Sequence, residues 1–168
     1  MGVRKLTRAE LPELQTFLAT PADPPLALAL LSDAQTAWFE GGLRRSVLEL
    51  AICTEVMVKR RFFAKDTAAG AAFDYMEDKA KVSIRVLDLI DAVAEEAFGA
   101  SYKKQESSWF QKIDYLFRCR NKIAHRGELS FRDDLGRKVS VDAPQVAEWW
   151  CAVANLKDWL ESCNPAIT

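Results

Sequence analysis

Histidine occurs once in the 168 residues, at position 125, and the four cysteines, Cys53, Cys119, Cys151 and Cys163, form no CxxC pair. A Cys/His zinc site is therefore short of ligands, and no tight carboxylate pair stands beside that histidine, so no metal and no other cofactor are expected. Scattered thiols of this kind fit a reducing compartment, and a cytoplasmic location is expected. The N-terminal MGVRKLTRAELPEL is charged throughout, and no stretch approaches the ~20 apolar residues of a membrane span, which argues against a secretory leader and membrane insertion. The formal net charge of −1 argues against a protein that coats duplex nucleic acid by bulk charge, so any nucleic acid must be held locally. Glycine and proline are sparse, with seven and six copies, and no internal repeat or low-complexity tail is present.

What is there is helical periodicity. An ordinary apolar fraction and a length near that of one domain predict a single unit spanning residues 1–168, with residues 1–25 an N-terminal extension and about 26–160 the core. The expected fold is all-α, an up-and-down bundle of five to six helices. A short helix near Arg8 to Leu18 precedes the proline-rich stop at Thr20 to Pro25. A helix from about Leu26 to Phe39 is broken by Gly41 and Gly42, and Leu43 to Phe63 resumes with Val47, Leu50, Ala51, Thr54 and Val58 on one face. After a small-residue connection at Thr67 to Ala72, Phe73 to Phe98 places Val82, Val86, Leu89, Ile90, Val93 and Ala97 in helical register, capped by Gly99.

The loop AlaSerTyrLysLys then leads to a helix from Ser107 to about His125 with an apolar side of Phe110, Ile113, Phe117 and Ala124. Glu128 to Phe131 and Lys138 to Val141 alternate around AspAspLeuGly as a small β-hairpin, with Asp133 and Asp134 as turn formers. Asp142 caps a final helix in which Trp149, Val153, Leu156 and Leu160 recur on one side.

The chemistry gathers between Arg118 and Gly127. At ~100° per residue Asn121 and His125 stack at i and i+4, while Arg120 lies ~100° from Asn121 and ~140° from His125. That face offers an imidazole for proton transfer, a guanidinium for phosphate and an amide to orient either. One imidazole cannot easily serve as both acid and base of a phosphodiester cleavage. Two copies facing across a twofold axis would supply both, so the brevity of the motif predicts a homodimer.

LeuPheArgCysArgAsnLysIleAlaHisArgGly resembles the signature of the HEPN superfamily, an arginine followed after four to six residues by histidine, commonly with asparagine next to the arginine. Arg120, Asn121 and His125 match it, and Glu40 to Lys59 is similar, more loosely, to the helix that opens the core of many such domains. The resemblance covers Leu26 to Leu160 and is specific at the motif.

It implies a dimeric helical bundle that cuts RNA without a metal, the ribose 2′-hydroxyl attacking phosphorus to leave a 2′,3′-cyclic phosphate and a 5′-hydroxyl. His125 would transfer protons, Arg120 would stabilise the phosphorane and Asn121 would hold the geometry. Glu55 matches an acidic residue that some relatives direct at the motif. The biology implied is bacterial defence or a toxin–antitoxin stress response, with an antitoxin or activator protein as a further partner. The rival is a noncatalytic HEPN-like dimerisation module that binds RNA, a nucleotide or a protein.

Arg118, Lys122 and Arg126 add positive charge that would steer RNA or would simply answer the dipole of a helix end. Arg44, Arg45, Lys59, Arg60 and Arg61 read as a solvated face before an RNA path. Trp149, Trp150 and Trp159, at helical spacing, read as core or dimer contacts before stacking platforms.

Overall fold

In the computed structural model of the chain, the described residues are 25–63 and 84–163, with positions 70, 72, 75, 76 and 79 between them. The helix expected near Arg8 to Leu18 lies outside the described residues; positions 70 and 72, within the expected connection, are helical, as are positions 75 and 76 of the helix expected from Phe73, and residues 80–83 lie outside the described residues. The remainder is mostly helical with one small antiparallel sheet.

Helix α1, Leu26–Phe39, buries only Ala34 and Ala37, small residues that let its backbone approach α2, Leu43–Phe62. Two side chains of α2 close that contact by donating to α1 carbonyls, Ser46 Oγ to Ala34 O at 2.8 Å and Cys53 Sγ to Ala27 O at 3.1 Å. The core-facing side of α2 is apolar: Val47, Leu50, Ala51, Thr54 and Val58 are all buried, the set that the spacing predicts. Burying a leucine such as Leu50 contributes about 2 kcal/mol. Burial also pushes the thiols of Cys53 and Cys119 up to about 11, leaving them protonated at neutral pH.

The helical stretch α3 runs through Val86–Asp88, a π-helical turn Leu89–Val93 and Ala94–Phe98. The π turn explains a departure from the predicted face. A regular helix through Val86 and Ile90 would bury Val93 and Ala97. A π turn closes i to i+5 and inserts one residue, so the register downstream shifts by one. Ala94 is buried and Phe98 is half-buried, while Val93 and Ala97 face outward. Gly99, at φ 69°, ends the stretch in the left-handed conformation expected of a helix cap.

The segment expected as a loop holds a short helix, α4, Tyr102–Gln105, capped by Ser101 Oγ accepting from Lys104 N at 3.2 Å. Tyr102 is fully buried, its hydroxyl donates to Asn155 Oδ1 at 2.8 Å and its ring packs 5.1 Å from that of Trp159. Trp159 Nε1 donates back to Gln105 Oε1 at 2.7 Å. Long-range partners, absent from local patterning, hold this turn.

Helix α5, Ser107–Arg126, buries Ile113, Leu116 and Cys119. Its core line is thus rotated from the expected one: Phe110 and Phe117 are half-buried and Ala124 is exposed. Strands β1, Ser130–Arg132, and β2, Lys138–Ser140, pair antiparallel with Phe131 opposite Val139. Phe131 enters the core between Tyr115 and Trp149, at ring separations of 4.7 and 5.7 Å. Helix α6, Ala143–Ser162, starts at Asp142, whose carboxylate accepts from Gln145 N at 2.9 Å, and buries Trp149, Val153, Leu156 and Leu160 as predicted. Trp149 and Trp159 are core residues; Trp150 is half-buried. None of the described helices is long and apolar enough to cross a membrane.

Candidate functional site

Helix α5 carries its charged residues on two flanks, and the structure treats them differently. Arg118 is engaged on every side. Its guanidinium donates to Asp114 one turn back, pairs with Asp134 at 3.0 Å and donates to the Arg132 carbonyl at 3.0 Å. Asp134 also accepts from Gln111 Nε2 at 2.7 Å and from the Tyr115 hydroxyl at 3.0 Å. These two hydrogen bonds, with Arg118 beside them, hold the Asp134 carboxyl below its ordinary pKa. Partial burial pulls Arg118 the other way, but the Asp114 and Asp134 contacts outweigh it and its pKa is raised. The hairpin is thereby clasped to the middle of α5. Asp133 and Asp134 form the turn as expected, Asp133 accepting from the backbone N–H groups of Leu135 and Arg137, and Asp134 belongs to the clasp as well.

Arg120, two residues on, faces a different environment. Its Nη1 donates to Asn121 Oδ1 at 3.2 Å, its one side-chain hydrogen bond among the described residues, and no carboxylate there forms an ion pair with it. Because Asn121 Oδ1 is turned to the arginine, the amide nitrogen, a double donor, is left as the open end. Both residues line a cleft of about 870 Å³ between α5, α3 and α2. That volume falls inside the ~300–1,000 Å³ range of ligand sites. Phe110 and Phe117 of α5 give it apolar surface, joined by Ile84, Val86 and Leu87.

Glu55, the acidic residue singled out on α2, also lines this cleft and pairs with Lys59 at 3.0 Å. The structure therefore brings Arg118, Arg120, Asn121 and Glu55 to one cavity. It does not bring His125 there. That residue sits one turn beyond Asn121 on the exposed surface of the last turn of α5, and its side chain makes no hydrogen bond among the described residues. Lys122, half-buried, and Arg126, exposed, also stand outside the cleft. With the Lys138 hydrogen bond as the larger cause, they help hold the Glu128 carboxyl below its ordinary pKa. Gly127 closes the helix at φ 66° and lets the chain turn away immediately after the motif.

Of the basic residues on α2, Arg45 pairs with Glu49 at 3.2 Å, and Arg44 and Arg60 are exposed. Arg61 is committed to the fold. It donates through Nε to Leu160 O at 3.1 Å and through Nη2 to Cys163 O, answering the free carbonyls at the end of α6. Its guanidinium lies 4.6 Å from the centre of the Phe98 ring.

The cleft also contains residues that sequence reasoning passed over: Arg85, Asp88, Asp91, Lys103 and Asp114. Two of them were within reach, since Asp114 precedes Arg118 by four and Asp88 follows Arg85 by three, spacings that place charges side by side on a helix. Asp91 was not. It lies in the π turn, accepts from Ser101 Oγ at 2.7 Å and pairs with Lys103 at 3.3 Å, contacts that the α3–α4 corner creates. The Ser101 hydrogen bond, followed by Lys103, holds its carboxyl below the ordinary value. Among the described residues no three His, Cys, Asp or Glu side chains are grouped so as to hold a metal ion. No family model matches this chain, and the comparisons with curated proteins and solved structures likewise give no match.

Proposed function

We propose that the protein is a homodimeric, metal-independent endoribonuclease of the HEPN kind, cutting RNA to 2′,3′-cyclic phosphate and 5′-hydroxyl ends. The observation that carries this reading is the state of Arg120: a guanidinium at the wall of a ligand-sized cleft, oriented by Asn121 and without an acidic partner among the described residues. A cation so placed can stabilise the charge that develops on a pentacoordinate phosphorus, because no carboxylate competes for it.

In the reaction the 2′-oxygen forms a bond to phosphorus and the bond from phosphorus to the 5′-oxygen breaks. The 2′-hydroxyl proton must leave to a base, and the 5′-oxygen must receive one from an acid. An imidazole near neutrality can do either, and one imidazole does only one in a given turnover. His125 is exposed at the end of α5, beside the exposed Asn121 and Ala124. A second copy packed isologously on this small-residue surface would set two imidazoles near one phosphate, with Arg120 donating to its oxygens and the free amide end of Asn121 holding either ring or substrate.

The test is RNA cleavage by the wild type and by His125→Ala in EDTA, both checked for folding and oligomeric state, with the product ends identified. Cyclic phosphates that vanish in the variant support the nuclease. Equal cleavage by both, or a strict monomer by light scattering at micromolar concentration with cleavage retained, removes the composite site. Binding of RNA without cleavage by either protein turns the reading to the noncatalytic module.

A further inference from the structure

We infer that the cleft beside the motif is a guanine-nucleotide subsite, in which Arg85 and Asp88 read the base while Arg120 receives the adjoining phosphate. The inference deepens the nuclease reading and rests on it for the source of the nucleotide, an RNA chain.

Most of the charged groups in the cleft already have partners. Glu55 is paired with Lys59, Asp114 with Arg118, and Asp91 with Ser101 and Lys103. Arg85 and Asp88 differ. They stand three residues apart at the start of α3, their closest charged atoms are 4.0 Å apart, at the outer limit of an ion pair, and their side chains are 70% and 55% exposed. Each keeps most of its hydrogen-bonding capacity, the carboxylate as acceptor and the guanidinium as a forked donor.

That adjacent pair of acceptor and donor has one good complement among the bases. Guanine presents N1–H and N2–H₂ as neighbouring donors, which a carboxylate can accept together, and O6 and N7 as neighbouring acceptors, the ordinary target of an arginine fork. Adenine offers one amino group flanked by acceptors, uracil a single N–H between carbonyls, and cytosine the neighbouring acceptors N3 and O2 but only one amino group, so guanine alone gives each side chain two hydrogen bonds. The half-buried rings of Phe110 and Phe117 supply apolar surface for the flat face of the base. Pairing orients the ligand: with Asp88 on the donor edge of the base and the Arg85 fork taken by O6 and N7, Arg120, lacking an acidic partner among the described residues, is the cation left for the phosphate.

The experiment measures binding, separately from cleavage. Full-length His125→Ala protein is titrated calorimetrically with the 3′-monophosphates of guanosine, adenosine, cytidine and uridine, and with single-stranded oligoribonucleotides containing or lacking one guanine. The expected result is about tenfold or greater preference for guanine, lost in Asp88→Asn and in Arg85→Ala. Both substituted positions are largely exposed, and circular dichroism checks that the variants fold.

Equal affinity for the four mononucleotides, or a preference that survives both substitutions, overturns the subsite. The two hypotheses fail separately. Histidine-dependent cleavage without base preference keeps the nuclease and removes the subsite; a guanine preference in a protein that cuts nothing keeps the subsite and removes the nuclease. Tighter binding of the guanine oligonucleotide than of the mononucleotide supports RNA as the source. Equal binding of the two overturns the RNA part and assigns the subsite to free guanine nucleotides.

Discussion

Arg118 and Arg120 stand two residues apart on α5, carry the same group and line the same cleft, but their partners differ. Arg118 is held by Asp114, Asp134 and the Arg132 carbonyl and fastens the hairpin to the helix. Arg120 meets an amide and an open cleft. A count of basic residues near a motif therefore says little about phosphate binding. What decides is whether a carboxylate already holds the cation, and that depends on which flank of the helix faces the hairpin.

The strongest break of this contrast leaves both arginines alone. His125→Ala should lower cleavage at least about 100-fold, the usual contribution of a positioned acid or base, with an unchanged melting temperature because the side chain is exposed and makes no hydrogen bond among the described residues. Next, Asn121→Asp would give Arg120 the acidic neighbour that Arg118 has. About a tenfold loss of cleavage is expected, with the variant still folded by circular dichroism; an unchanged rate would show that the charge of Arg120 does not need to be free. Glu55→Gln should leave cleavage within a few-fold of the wild type, because Glu55 pairs with Lys59 and forms no ion pair with Arg120; a larger loss in a folded protein would show that Glu55 acts on the site.

The smallest effect is on the clasp and is read by pH. The Asp134 carboxyl has a folded pKa below its ordinary value of 3.8. A depressed folded pKa means that the stabilisation is fully present above the unfolded value and is lost as pH falls through the folded one. Acid should therefore loosen the hairpin below about pH 3.8, seen as faster amide exchange at Phe131 and Val139. Asp134→Asn should shrink that acid step and leave the part carried by Asp133 and Glu128, whose carboxyls are also held below their ordinary values.

Much of the fold could be read from local pattern. The faces of α2 and α6, the caps at Gly99, Gly127 and Asp142, and the hairpin follow from periodicity and turn chemistry that act within a few residues. Besides the rotated core line of α5, two features resisted for physical reasons. The π turn shifts the register of α3 by one residue, so a constant period put Val93 and Ala97 where Ala94 and Phe98 pack. Tyr102 and its short helix depend on Asn155 and Trp159, more than fifty residues away.

The site divides in the same way. Arg120 and Asn121 share a wall of the cleft as the spacing implied, and Glu55 lines the same space. On the cleft's other side the i, i+3 spacing of Arg85 and Asp88 was legible, whereas Asp91 and Lys103 are brought there by the corner between α3 and α4 and have no local signature. The last-turn position of His125 was legible; its exclusion from its own chain's cleft was not, because helical angles place residues around an axis without saying what covers them.

The most direct measurement compares Arg118→Ala with Arg120→Ala, scoring thermal melting and cleavage rate per folded molecule in the same preparations. Arg120→Ala should melt with the wild type and lose about 100-fold in rate. Arg118→Ala should lose about 1 kcal/mol of stability, small because its ion pairs are partly screened by solvent, and keep most of its rate. The reverse pattern, with Arg118→Ala inactive and Arg120→Ala active, would contradict the assignment of Arg120 as the cation of the site.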